Sequence, residues 1–261
     1  AETAKILNPQ KTVLIPSTKA GCSLAAGVNA GDVRRMKQQF PGVPVVSYVN
    51  TYAEVKAESD YCCTSGNAAK MIKYLLQQGH RRILFLPDEY LARNTAAEMG
   101  IAFRFVPAAG SELEPPLAEG EPVILGLRVR CEVHEKYTVE DVENVRRQFP
   151  DVVILAHPEC SPEVIARCDF SGSTKQMIDY VRDVKAPRYL LLTECSMGDN
   201  IAAEFRDREM LRLCGIRCPH MNQITLEDTL ESLLHIQYRV ELSPDLVQKA
   251  RLPIDRMLAI R

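Results

Sequence analysis

Three cysteines stand at the same place relative to an acid. Cys22 lies ten residues before Asp32, Cys131 ten before Asp141, and Cys218 ten before Asp228. Thiolates are natural ligands of iron–sulfur clusters and of zinc. Three such ligands leave one iron of a [4Fe–4S] cube without a protein donor, and an open iron can act as a Lewis acid. A polar set recurs with the same period. The shift of 109 residues that carries Cys22 onto Cys131 also carries Tyr48 onto His157 and Asn50 onto Glu159. A histidine two residues from a glutamate suits proton transfer. A protein that only holds a metal has no need of this second set, so an enzyme is the leading reading. A non-enzymatic iron–sulfur or zinc protein, a sensor or structural module, is the alternative. Zinc has a specific route: Cys214-x3-Cys218 together with Cys131-x2-His134 makes a Cys3His donor set.

The elements that must position these residues follow from the repeat. Asn29, Thr138 and Thr225 each precede an aspartate by three, the pattern of a helix start in which a side-chain oxygen takes up a backbone N–H. Helices are expected over 32–40, 141–149 and 228–236. The first two are followed by Phe-Pro and an apolar run, 43–49 and 152–156, which reads as a strand. Further along the first copy, Ala57, Asp60 and Thr64-Ser65 fall on Ala166, Asp169 and Ser173-Thr174. A three-residue gap then aligns Met71-Ile72 with Met177-Ile178. Short strands are also expected at 12–15, 82–86, 101–106, 122–127 and 188–192. Helices are expected at 67–77, 89–99, 162–168, 174–184, 200–211 and 244–260. Strands alternating with helices give an α/β class with parallel sheets. Ligands of such sheets bind beyond the carboxyl ends of the strands, where Tyr48, Asn50, His157 and Glu159 lie.

The expected domains are 17–120 and 121–218, with 1–16 and 219–261 as remnants of a further α/β domain whose body of roughly 60 residues would lie upstream. Residues 108–122, acidic and rich in proline, read as a surface loop. A net charge of −2 leaves no electrostatic footprint for nucleic acid. Apolar runs of about seven residues fall far short of the ~20 that span a bilayer. Nine cysteines in a chain of 261 residues do not make a secreted disulfide scaffold; they point to a reducing, cytoplasmic setting.

The stretches AETAKILNP, PSTKAGC, VSYVNT, TSGNA, RCEVHEKYT, HPEC, GSTKQMI, CPHM and ITLEDTLESL together resemble the quinolinate synthase family of bacterial NAD biosynthesis. The resemblance covers almost the whole chain. It implies three pseudo-symmetric α/β domains around a central [4Fe–4S] cluster, held by one cysteine from each: here Cys22, Cys131 and Cys218. It implies condensation of iminoaspartate with dihydroxyacetone phosphate to quinolinate, with loss of phosphate and water, and a functional link to an enzyme that makes iminoaspartate. It carries substrate binding to Tyr48, Asn50, Ser65, His134, His157, Glu159, Ser173 and Thr174, and catalysis to Tyr48, His157 and Glu159. The family's opening unit has a His-Asn-Tyr motif and a substrate-binding serine that this chain does not contain. The chain by itself is therefore expected not to make quinolinate.

Overall fold

A computed structural model describes residues 1–108, 110–111, 120–213 and 215–260. Cys214 and most of the acidic proline-rich loop lie outside these. The chain divides into two compact units, Ala1–Val129 with Pro219–Arg261, and Arg130–Cys218.

The first unit runs α1 (Glu2–Leu7), α2 (Ser23–Ala26), α3 (Ala30–Gln39), β1 (Val45–Tyr48), α4 (Ala53–Glu58), β2 (Tyr61–Cys63), α5 (Ala68–Gln77), β3 (Arg82–Leu86), α6 (Glu89–Met99), β4 (Ala102–Phe105) and β5 (Val123–Gly126). Its sheet has the order β2-β1-β3-β5-β4, and every pairing is parallel. The strand at 123–126 therefore completes this sheet, and the second unit opens at Arg130 instead of at residue 121. The second unit runs α7 (Val139–Gln148), β6 (Val153–Ala156), α8 (Pro162–Ile165), β7 (Phe170–Ser171), α9 (Thr174–Val184), β8 (Arg188–Leu192), α10 (Ser196–Glu204) and β9 (Glu209–Leu211). Its sheet is β7-β6-β8-β9, again parallel. The chain then returns to the first unit through α11 (Leu226–His235) and α12 (Pro244–Ala259).

Side chains alternate across each strand. In the second unit Ile154, Ala156, Leu190 and Leu192 pack with Val142 of α7 and Val164 of α8. Leu155, Tyr189 and Leu191 pack on the opposite face with Met177, Val181 and Ile201. Both faces are covered, as parallel strands require. Each of the large aliphatic side chains so buried contributes about 1.5–3 kcal/mol relative to exposure.

All three repeated helix starts are reciprocal capping boxes: Asn29 with Asp32, Thr138 with Asp141, Thr225 with Asp228. The helices differ in what they cover. Helix α3 buries Val33 and Met36, and α7 buries Val142. Helix α11 buries only Ser232 and exposes Leu226, Leu230, Leu233 and Leu234.

Two expected elements are different in kind. The helix expected over 200–211 is instead α10, ending at Glu204, followed by β9. Phe205 closes the helix and Arg208 turns the chain into the sheet, where Arg188 lies opposite Glu209. The strand expected at 12–15 is a single antiparallel bridge, Leu14 with Arg239. Strands β2 and β7 are two or three residues long, too short to show a period.

Candidate functional site

Among the described residues, the densest group of reactive side chains lies in the second unit, beyond the carboxyl end of β6. A turn from Cys131 leads into a 3₁₀ helix, His134–Lys136, with Glu135 N–H donating to the Cys131 carbonyl at 3.0 Å. Tight turns bring residues three apart onto one side, which is why the Cys131-x2-His134 spacing matters. Strand β6 delivers His157 and Glu159 from the other direction. The Cys131 thiol, the His134 ring and the Glu159 carboxylate offer ligand atoms that all lie within 4.8 Å of one another.

These side chains are fixed by one another. The rings of His134 and His157 stack, centroids 4.8 Å apart at 27°. Glu159 Oε2 stands 3.0 Å from His134 Nδ1, and Oε1 3.7 Å from His157 Nδ1. The closer contact has ion-pair distance without the alignment of a hydrogen bond, so Nδ1 of His134 is close-packed yet unsatisfied as a donor. On the far side of its ring, His134 Nε2 is 3.0 Å from Thr193 Oγ1. Tyr137 in turn donates its hydroxyl proton to the Thr193 carbonyl. Thr193 follows directly on β8, so a second strand tip orients the histidine. Neither Thr193 nor Tyr137 stood out in the sequence. The strand-end rule that found His157 also reaches Thr193, but a lone threonine after an apolar run carries no chemical signal.

The electrostatics follow from burial. Burial pulls His157 down to about 4; Glu159 works against the fall and His134 adds to it. His157 Nδ1 accepts from the Glu159 N–H at 3.4 Å, so the neutral ring carries its proton on Nε2. Burial, and then the Glu159 charge, hold the Cys131 thiol well above its ordinary range, with backbone N–H groups of His134 and Val133 opposing. A thiol, an imidazole and a carboxylate within ligand reach of one another suit a metal, because a bound cation favours the thiolate.

The other candidates are dispersed. Ser173 is the N-cap of α9 in a capping box with Gln176, and the exposed Thr174 is the first helical residue. In the first unit Tyr48 is the buried last residue of β1, and Asn50 is exposed in the turn after it. Ser65, partly buried, lies in the turn between β2 and α5, two residues before the N-cap Asn67. Asn67 and Ser173 are the equivalent caps, so the three-residue gap of the repeat falls before the helix, within 64–66. Cys22 is the N-cap of α2. His220 packs beside it: a Cβ on Gly21 would lie 3.2 Å from the His220 ring. Cys22, Cys131 and Cys218 are all partly exposed, whereas Cys62, Cys63, Cys160 and Cys195 are buried. Cys168, also partly exposed, donates to the Val164 carbonyl.

Fold and site together define an α/β protein of parallel sheets with a metal-capable thiol–imidazole–carboxylate group at a strand end. Among the described residues no helix is long and apolar enough to cross a membrane. The family model described as quinolinate synthetase A protein matches residues 1–259. The chain is 48% identical over 260 residues to quinolinate synthase 2 of Mesorhizobium japonicum, covering all of this chain and 72% of that protein. It is 46% identical to quinolinate synthase 1 of the same organism, again over 72% of its length. It is also 46% identical to the quinolinate synthase of Agrobacterium fabrum, over 68% of its length. The chain belongs to the quinolinate synthetase A family, a family of enzymes.

Proposed function

We propose that this chain supplies active-site residues of a quinolinate synthase in NAD biosynthesis. In this reading iminoaspartate and dihydroxyacetone phosphate condense to quinolinate with loss of phosphate and water, in the cytoplasm, with iminoaspartate supplied by a partner enzyme. The observation that carries the reading is the convergence of Cys131, His134, His157 and Glu159 at one strand end, in a chain of this family.

Cys22, Cys131 and Cys218 would hold a [4Fe–4S] cluster, whose open iron supplies a Lewis acid to oxygen or nitrogen donors of a bound intermediate. The donor chemistry supports this. The three thiols are the partly accessible members of the repeat, and each stands before a capped helix. Glu159, buried against the Nδ1 edges of both imidazoles, is the proton-transfer group. His157, neutral with Nε2–H, is a hydrogen-bond donor to substrate oxygen. His134 is oriented by Thr193. Tyr48, Asn50 and Ser65 bind substrate at the other strand tip. Ser173 and Thr174, at a helix N-terminus, take a carboxylate or phosphate. The segments 1–16 and 219–261 are read as parts of a third α/β domain. Support for grouping them comes from the Leu14–Arg239 bridge and from Arg251, which donates to the carbonyls of Ile6 and Leu7.

A second reading rests on the mixed donor set Cys131, His134 and Glu159, which also suits zinc. The Cys3His version of that site includes Cys214, which lies outside the described residues. Anaerobic purification followed by metal and acid-labile sulfide analysis separates the two. Iron with sulfide in equal amounts and a brown chromophore is the expected result. Ser in place of Cys22, Cys131 or Cys218 removes the colour, and Cys160→Ser keeps it. Stoichiometric zinc without sulfide, or a coloured Cys131→Ser protein beside a colourless Cys160→Ser protein, would overturn the cluster assignment.

A further inference from the structure

Lys56 is fully buried in α4, 0% exposed. Among the described residues it has no ion-pair partner, and its neighbours are the turn that follows β1. Its Nζ donates to the Val49 carbonyl at 2.9 Å, to the Thr51 carbonyl, and to Thr51 Oγ1 at 3.2 Å. Thr51 Oγ1 spends its own proton on the Tyr48 carbonyl at 2.9 Å, so it can only accept from the lysine. Carbonyls only accept. Three acceptors therefore require three N–H bonds, which an ammonium has and an amine lacks. Burial pushes the Lys56 ammonium below the ordinary lysine range, with Cys62 and Glu2 opposing.

A buried cation is a costly way to fill a core position. The fold does not demand it. The repeat carries Lys56 onto Ile165, which packs against the apolar core of the second unit at the same place in the equivalent helix. What the isoleucine cannot do is hold carbonyls.

We propose that Lys56 is a positioning residue for the strand tip of the first unit: its ammonium fixes the carbonyls of residues 48, 49 and 51, and so aims Tyr48 and Asn50 at the substrate. The aim at substrate rests on the function proposed above; the fixing of the turn does not. Lys56 touches no substrate. It acts through the backbone between Tyr48 and Asn50.

The test compares anaerobically purified full-length protein with its Lys56→Met variant, which keeps the length and apolar stem and loses every donor. Amide hydrogen exchange by mass spectrometry reads the turn, and calorimetry reads binding of quinolinate. The expected result is exchange about tenfold faster or more in a peptide covering 48–53, with peptides over 82–86 and 153–156 unchanged. Quinolinate affinity should fall by a similar factor, and Lys56→Arg should recover part of both. Unchanged exchange at 48–53 overturns the positioning role, whatever binding does. Faster exchange with unchanged affinity overturns the aim at substrate while leaving the turn geometry standing. If neither parent nor variant binds quinolinate, the function proposed above fails, and the exchange data still decide the turn. Should Lys56→Met not fold, Thr51→Val removes the hydroxyl link to Tyr48 at little change of volume. The same localised rise is expected there, and its absence overturns the proposal.

Discussion

Asp60 and Asp169 do the same work in the two units. Asp60 accepts from the Val45 N–H at 2.8 Å and from Lys37 at 2.9 Å. Asp169 accepts from the Ile154 N–H at 2.7 Å and from Arg146 at 2.9 Å. Each pair of positions is 109 residues apart. A neighbouring ion pair is also kept, with its charges exchanged: Arg34 with Glu58 in the first unit, Glu143 with Arg167 in the second. The tips of the sheets differ. In the first unit a buried lysine holds the turn after β1 from below, through its carbonyls. In the second unit Ile165 fills the lysine's place. There the turn closes on itself, with Cys160 N–H donating to the His157 carbonyl and its thiol to the Leu192 carbonyl. The polar side chains of that tip are braced from the side by His134 and Thr193. A repeated scaffold thus keeps the contacts that register its strands and is free to rebuild the tip, because backbone support can come from any donor that reaches the turn.

The largest effect should come from the rebuilt tip. Glu159→Gln keeps shape and burial and removes the charge beside the two imidazoles. In full-length protein quinolinate formation should fall by roughly 10²–10⁴-fold with iron and sulfide retained. A loss within twofold would show that the differing tips do not divide chemistry from binding. The shared supports should respond more mildly and alike. Asp60→Ala and Asp169→Ala each leave a strand N–H without its acceptor, at a cost of about 1–3 kcal/mol. Urea unfolding of the two variants should give similar losses; a clear difference would mean that the units do not use this contact equally. The exchanged ion pairs should matter least. Their side chains are largely exposed, and such pairs contribute about 0.2–1 kcal/mol. Glu58→Arg should cost about that much, and adding Arg34→Glu should recover it. No recovery would show that the exchanged pair is coincidental, not an equivalent contact.

The sequence by itself determined what is local or periodic. The capping boxes at Asn29, Thr138 and Thr225 were legible because a cap needs only two side chains three residues apart. The 109-residue repeat exposed the equivalence of Tyr48 with His157, and Cys131-x2-His134 was visible as a spacing. Strand ends could be located because apolar runs stop there. Tertiary structure alone decided the rest. Whether 123–126 begins a second sheet or completes the first depends on which strands it pairs with, here β3 and β4 on either side, and four residues carry no information about their neighbours. Strands β2 and β7 exist only because β1 and β6 offer them hydrogen bonds. Lys56 carries no signal in the sequence until the fold buries it under three oxygens. Thr193 is unremarkable until β8 lies beside β6 and its hydroxyl meets a histidine 59 residues away in sequence. Burial and long-range hydrogen bonding are properties of the packed chain, and no window of sequence contains them.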